Sequence, residues 1–215
     1  MATLYLVRHG ETTFNAEGRI QGHLDAPLSE LGLRQARMIA RRLEGETFSA
    51  VYSSDLVRAR VTAEIIANTH GIPVRTTPLL REAYLGVVQG LTRAEVEERF
   101  PTGLNLWRTD PSLRPPESET LGQVVQRCAE FLNTTLAGHA DEERVLVVGH
   151  GGSVRGVIIA ALGLPIEAFR VFHFSNASLT ILNTGRSCGL WLLNDTCHLN
   201  KLRTDEEEVC DLGRP

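Results

Sequence analysis

Leu4-Tyr5-Leu6-Val7-Arg8-His9-Gly10-Glu11-Thr12-Thr13-Phe14-Asn15 is the stretch from which the rest of the chain is read. Its four consecutive apolar residues are too few for a helix and suit a strand buried on both faces of a sheet. The run then stops abruptly, and a guanidinium, an imidazole, a glycine and a carboxylate follow side by side. Arg144-Val145-Leu146-Val147-Val148-Gly149 repeats the pattern far downstream, and His150 stands at its end as His9 stands at the end of the first. Polar groups gathered where buried strands emerge mark the ligand end of an open α/β sheet.

The segments between these strands read as helices. Ser29 has the chemistry of an N-cap, and Leu28, Leu31, Ala36, Ile39, Ala40 and Leu43 fall at helical spacing up to Gly45. Ala50–Ser53 predicts a second strand, with Ser54 as the cap of a helix running to Asn68, and Pro73–Thr76 a third strand. Residues 87–118 are punctuated by Pro101, Pro111, Pro115 and Pro116, with short helical pieces expected at Ala94–Phe100 and Leu104–Trp107. A long amphipathic helix is predicted from Thr120 to Leu136, another after Gly151-Gly152, and a closing hairpin from Ala177–Leu182 and Gly189–Leu193. Beyond Leu199 the chain is polar, with an acidic run from Asp205 to Glu208, and is expected to be a mobile tail.

A chain of 215 residues with 42% hydrophobic and 22% charged residues is ordinary for one well-buried domain, expected here over 1–199. A net charge of −4 offers no basic field for a nucleic-acid backbone. Cys128, Cys188, Cys197 and Cys210 lack zinc-ligand spacing and form no dense disulfide framework. The start has no basic n-region, and its apolar run is too short for a signal peptide or membrane span. A reducing cytoplasm is the expected compartment, with no membrane and no nucleic-acid partner.

The chemistry concentrates at the strand ends. A positive neighbour favours the neutral form of an imidazole, so Arg8 beside His9 makes a nucleophilic ring and a phosphate-holding cation together. Arg58 falls near a helix N-terminus, where the dipole disfavours a cation unless an anion compensates it. Gly151 and Gly152 allow close approach of a ligand to free N–H groups at a helix start.

Arg8-His9-Gly10-Glu11-Thr12 with Asn15 resembles the signature of the histidine phosphatase superfamily, also called the phosphoglycerate mutase-like family. The resemblance continues through Gln21-Gly22, Ser53-Ser54-Asp55-Leu56-Val57-Arg58-Ala59, Leu80-Arg81-Glu82 and Gly149-His150-Gly151-Gly152, in order, over roughly residues 3 to 185. It implies a three-layer α/β/α sandwich with a mostly parallel sheet. It also implies catalytic roles for Arg8, His9, Arg58, Glu82 and His150, with Glu82 as the proton donor to the leaving oxygen. Thr12, Asn15, Gln21, Gly22, Gly151 and Gly152 are the expected substrate-binding positions, the loop 18–28 closing over the phosphate and residues 87–118 covering the substrate. Arg93, Arg99, Arg108 and Arg114 are candidates for reaching an anionic substrate tail.

The activity expected from this resemblance is hydrolysis of small phosphate monoesters through a phosphohistidine on His9, without metal or other cofactor. Two alternatives stand beside it, a cofactor-dependent phosphoglycerate mutase and a phospho-ligand binding protein on the same fold. The family's mutases carry a longer insertion with an adjacent arginine pair after the acid block, and here that segment is short with its arginines separated. Cys197 and Arg203 have cysteine-phosphatase spacing but no glycine between them for a phosphate loop. An esterase is set aside because no Gly-x-Ser-x-Gly elbow occurs. Phosphoserine, α-ribazole 5′-phosphate, 3-phosphoglycerate and sugar phosphates all suit such a site, and the oligomeric state is left open between monomer and homodimer.

Overall fold

The computed structural model describes residues 2–103, 114–185 and 188–200. The expected short helix at Leu104–Trp107, Arg108, Cys210 and the tail from 201 onward lie outside the described residues. Six strands form one mixed sheet: β1 (Thr3–Arg8), β2 (Ala50–Ser54), β3 (Val74–Thr77), β4 (Arg144–Gly149), β5 (Leu179–Asn183) and β6 (Gly189–Asp195). Their order across the sheet is β3-β2-β4-β1-β5-β6. The first four are parallel, and β5 and β6 add an antiparallel edge.

Six α-helices accompany them among the described residues: α1 (Thr13–Ala16), α2 (Glu30–Leu43), α3 (Val57–Asn68), α4 (Arg93–Arg99), α5 (Leu121–Thr135) and α6 (Gly151–Leu162). The period of two along the central strands splits their side chains between two cores. Leu4, Leu6, Val145 and Val147 face the layer built from α5 and α6, against Cys128, Phe131, Val157 and Ile158. Tyr5, Val7, Leu146 and Val148 face the opposite layer of α2 and α3, against Ile39, Leu43, Ala63 and Ile66. Each such side chain contributes roughly 1.5–3 kcal/mol on leaving water, so β1 and β4 are anchored from both sides. The α/β sandwich expected from the sequence is the observed fold.

One arrangement decides where chemistry can occur. Adjacent strands β1 and β4 lead to long helices, α2 (by way of the short α1) and α6, that pack on opposite faces of the sheet. Between two such strands a crevice opens at the carboxyl ends, the place where open α/β sheets bind ligands.

Local caps follow sequence chemistry with one exception. Ser29 caps α2, its hydroxyl accepting from Gly32 N–H at 3.0 Å, and Thr120 forms a reciprocal box with Gln123 at the start of α5. Ser54 does not cap α3. That helix begins after Leu56, which has no capping side chain, and the carboxylate of Asp25 reaches across from the preceding loop to accept from Val57 N–H at 2.9 and 3.0 Å. A remote carboxylate at a helix N-terminus satisfies an orphan donor and complements the dipole, which removes the need for a local serine cap. No helix among the described residues is long and apolar enough to cross a membrane.

Candidate active site

His9 and His150 occupy the crevice. The β1–β4 register pairs Arg8 with Gly149, and His9 N–H extends the ladder to the Gly149 carbonyl at 2.9 Å. The two imidazoles are therefore neighbours, both buried, with ring centroids 5.1 Å apart and planes inclined by 60°.

Their hydrogen bonds give the rings opposite polarity. His9 Nδ1 lies 2.6 Å from the Gly10 carbonyl, which can only accept, so Nδ1 carries the proton and Nε2 keeps its lone pair. Arg58 Nε, which can only donate, lies 3.2 Å from His150 Nδ1. That nitrogen must accept, leaving the proton of the neutral ring on Nε2, and His150 Nε2 is buried without a hydrogen-bond partner. Burial first, and then the charges of Arg8 and Arg58, hold His9 well below the usual imidazole range. His150 is depressed in the same direction by burial and then by Arg58. One ring is a neutral Lewis base and the other a neutral donor.

Two guanidiniums frame the pair. Arg58 is fully buried, its Nη2 donating to the Gly22 carbonyl at 2.7 Å and its Nη1 to the Leu24 carbonyl at 2.9 Å. It thus fastens the loop 18–28 to α3, with Asp25 Oδ1 4.0 Å away as its counter-charge. Asp55 is no partner for it, being held by Arg81 Nη2 at 2.5 Å. Arg8 donates from Nη1 to the Phe174 carbonyl at 2.6 Å, while its Nε is buried and unpartnered. Arg8 Nε and His150 Nε2 are orphaned buried donors, and such groups favour an acceptor.

Glu82 reaches the start of α6 from the loop after β3. Its Oε1 accepts from Ala83 N–H at 2.8 Å and Gly152 N–H at 2.9 Å. A Cβ on residue 152 would lie 2.1 Å from that oxygen, so only glycine lets the carboxylate approach. The Gly152 N–H expected to meet a ligand is spent on Glu82 instead. The Glu82 backbone is pinned as well, its carbonyl accepting from Arg127 Nη2 at 3.0 Å and lying 2.8 Å from His23 Nε2. Arg127 further donates to the Leu79 and Arg81 carbonyls and pairs with Glu119.

The remaining expected positions divide between site and scaffold. Thr12 is fully buried and caps α1: its hydroxyl accepts from Asn15 N–H at 3.0 Å and donates to Asn15 Oδ1 at 3.1 Å. That hydroxyl is committed to the cap. Gln21 is buried with its Oε1 unpartnered, and Gly22, at φ +55°, turns the chain so that its carbonyl faces Arg58. Arg93 pairs with Glu97 on the exposed face of α4 at 3.2 Å, as a solvated surface pair.

Asn176-Ala177-Ser178, which resembles the family's late Asn-x-Ser element and reads as structural, supports the site from behind. Asn176 Nδ2 donates to the His9 carbonyl at 3.1 Å and to Asn15 Oδ1 at 3.3 Å. Ala177, held at φ 53°, donates its N–H to the Arg8 carbonyl at 2.9 Å and the His9 carbonyl at 3.2 Å. Asn176-Ala177 thus clamps the backbone behind the first imidazole. Arg155, one turn into α6, turns its guanidinium toward the same end of the sheet. Among the described residues no group of three or more His, Cys, Asp or Glu side chains is arranged to hold a metal ion.

Known proteins resemble this chain in sequence and fold. The chain is 36% identical over 217 residues to a Yersinia pestis protein named "Probable phosphoglycerate mutase GpmB", covering 96% of this chain and 99% of the relative. A mycobacterial glucosyl-3-phosphoglycerate phosphatase, solved with VO3, superposes with a TM-score of 0.84 at 34% identity, over 90% of this chain and 99% of that one. A phosphoserine phosphatase from Entamoeba histolytica, solved with 3-phosphoglyceric acid, gives 0.80 at 27% identity, over 93% and 100%. The model of the histidine phosphatase superfamily (branch 1) matches residues 4–196, a span that holds both strand-end histidines, both framing arginines and Glu82. With that match over nearly the whole chain, the protein that carries the paired imidazoles at the β1–β4 crevice belongs to the histidine phosphatase superfamily (branch 1).

Proposed function

We propose that this protein is a phosphatase of small phosphate monoesters that works through a phosphohistidine on His9. The observation that carries the reading is the opposite polarity of the two rings. His9 presents a lone pair at Nε2 and His150 presents an N–H at Nε2, as a nucleophile and an electrostatic partner for one tetrahedral anion require. The His9 Nε2 lone pair forms the N–P bond while the P–O ester bond breaks, and Glu82 delivers its proton to the departing oxygen. Water then attacks phosphorus, the N–P bond breaks, and Glu82 recovers a proton from the water. Arg8, Arg58 and His150 hold the equatorial oxygens, with Asn15, Gln21, Gly22 and Gly151 lining the anion's surroundings. The two guanidiniums carry the charge, so this chemistry calls on no metal.

Solved relatives named as phosphatases support hydrolysis, and the curated relatives named as phosphoglycerate mutases support a second reading, phosphoryl transfer within a glycerate. Phosphorus NMR of the purified protein with small phosphomonoesters and EDTA separates them, with His9→Ala alongside. Free phosphate with the wild type alone is the expected result. Migration of phosphate between glycerate hydroxyls without release overturns hydrolysis in favour of the mutase, and turnover by His9→Ala overturns the nucleophile.

A further inference from the structure

We propose that Arg155 recognises a second anionic group of the substrate, a carboxylate or a further phosphate close to the scissile ester. This rests on the phosphatase reading above and names the class of monoester it acts on. The Arg155 guanidinium is built into place. It lies over the rings of Phe169 and Phe174, at 5.6 and 5.8 Å from their centroids, and its Nε donates to the Phe172 carbonyl at 2.9 Å. Stacking and one backbone bond fix the plane of the fork, so little side-chain freedom is left to lose on binding.

Its outer edge remains unspent. Among the described residues neither Nη of Arg155 makes a hydrogen bond or an ion pair. A Cβ on Gly151 would sit 3.3 Å from Arg155 Nη1 and 3.8 Å from Glu82 Oε2. The glycine therefore leaves the guanidinium and the free oxygen of the carboxylate facing one small space, without joining them. Glu82 Oε2 is also the oxygen that no backbone N–H holds.

Phe174 ties this space to the phosphate end of the site. Its ring supports Arg155 while its carbonyl accepts from Arg8 Nη1 at 2.6 Å. Arg155 lies close enough to Arg8 for its charge to contribute to the lowering of Arg8, and Glu82 opposes the depression of both. A single small molecule with its phosphate at Arg8 and a second anion at Arg155 would place the ester oxygen toward Glu82. Carboxylates and phosphates both match the guanidinium fork, accepting two parallel N–H bonds.

The test compares 3-phosphoglycerate, glycerol 1,3-bisphosphate and glycerol 3-phosphate in the wild type and in Arg155→Gln and Arg155→Lys. The wild type is expected to favour the acid or the bisphosphate over the simple glycerol ester, and which of the two leads identifies the second anion. Arg155→Gln is expected to lose roughly ten- to a hundred-fold more kcat/KM on the favoured ester than on glycerol 3-phosphate, chiefly through KM, because a charged hydrogen bond is at stake. Arg155→Lys, which keeps the charge, is expected to recover part of that discrimination. Equal losses on all three esters overturn the proposal.

A binding arm covers failure of the phosphatase reading. In the His9→Ala protein, calorimetric titration is expected to show the favoured ester bound about tenfold more tightly than glycerol 3-phosphate, with the difference removed by Arg155→Gln. Turnover of none of the three esters sinks the hydrolase reading alone. Equal dissociation constants, or no binding of any ester, sink the second-anion proposal.

Discussion

Arg58 Nε donates to Nδ1 of His150 at 3.2 Å, and through that one bond a residue on α3 chooses the tautomer of a residue at the end of β4. The same guanidinium holds the Gly22 and Leu24 carbonyls. A lysine at 58 keeps a charge but cannot serve three acceptors in different directions. Arg58→Lys is expected to lower kcat/KM by about a hundredfold or more, the scale of losing a preorganised donor. Steady-state kinetics on the best ester measures it, and a loss of less than threefold contradicts the role.

Gly152 and Glu82 form a second coupled pair. Alanine at 152 suits a helix, but its Cβ would meet Glu82 Oε1 at 2.1 Å, and that atom is the movable end of a side chain. Gly152→Ala is therefore expected to fold with a melting temperature near that of the wild type while Glu82 is pushed aside. The rate should fall by about 10²-fold or more, as for a displaced general acid. Esters with good leaving groups, such as p-nitrophenyl phosphate, should lose much less, since they depend little on protonation.

Asp25 acts at a distance on α3. Removing its carboxylate leaves the Val57 N–H without its acceptor and takes the counter-charge from Arg58. Asp25→Ala is expected to cost about 1 kcal/mol in urea unfolding, the usual worth of an N-cap. Asp25→Asn, which keeps an acceptor, should cost less. Similar stability of all three proteins would show that the cap contributes nothing.

Acid should destabilise this fold early. His9 and His150 stay neutral in the folded protein well below 6.5, and burial lowers His23 and His198 in the same direction. The unfolded chain takes up protons on these rings near 6.5, so between that value and the lowered ones it binds more protons than the folded chain. Stability is accordingly full above about pH 7 and declines as pH falls through 6.5. Melting temperatures from pH 7.5 to 5.5 are expected to fall, with a shallower slope in His9→Gln and His150→Gln. An unchanged slope in both variants would falsify this assignment.

Much of the fold could be read from short-range pattern. The two buried runs ending in His9 and His150, the stripe of α2 and the Thr120 start of α5 each depend on residues a few positions apart, and each stands where expected. The family blocks located Arg8, Arg58 and Glu82 at one crevice. What escaped depends on contacts between segments distant in the chain. Asp25 caps a helix 32 residues later, so no local pattern announces it, and the locally attractive Ser54 was the wrong cap. Arg155 looks like one more charge on a helix until Phe169, Phe172 and Phe174 close around it. Thr12 carries a local signal of another kind: its hydroxyl closes the turn with Asn15 three residues on.

The adjacency of β1 and β4 has a bearing on durability. Both strands are interior to the sheet, with paired neighbours on each side and apolar layers above and below. Segments of this kind exchange their amide hydrogens only through the largest openings of a molecule, while edges and loops fray under milder fluctuation. The histidine pair is thus moored to the slowest-breathing part of the protein, and partial melting of the β6 edge or of α4 leaves it standing. The reactive centre is lost last, with the cooperative collapse of the whole sheet.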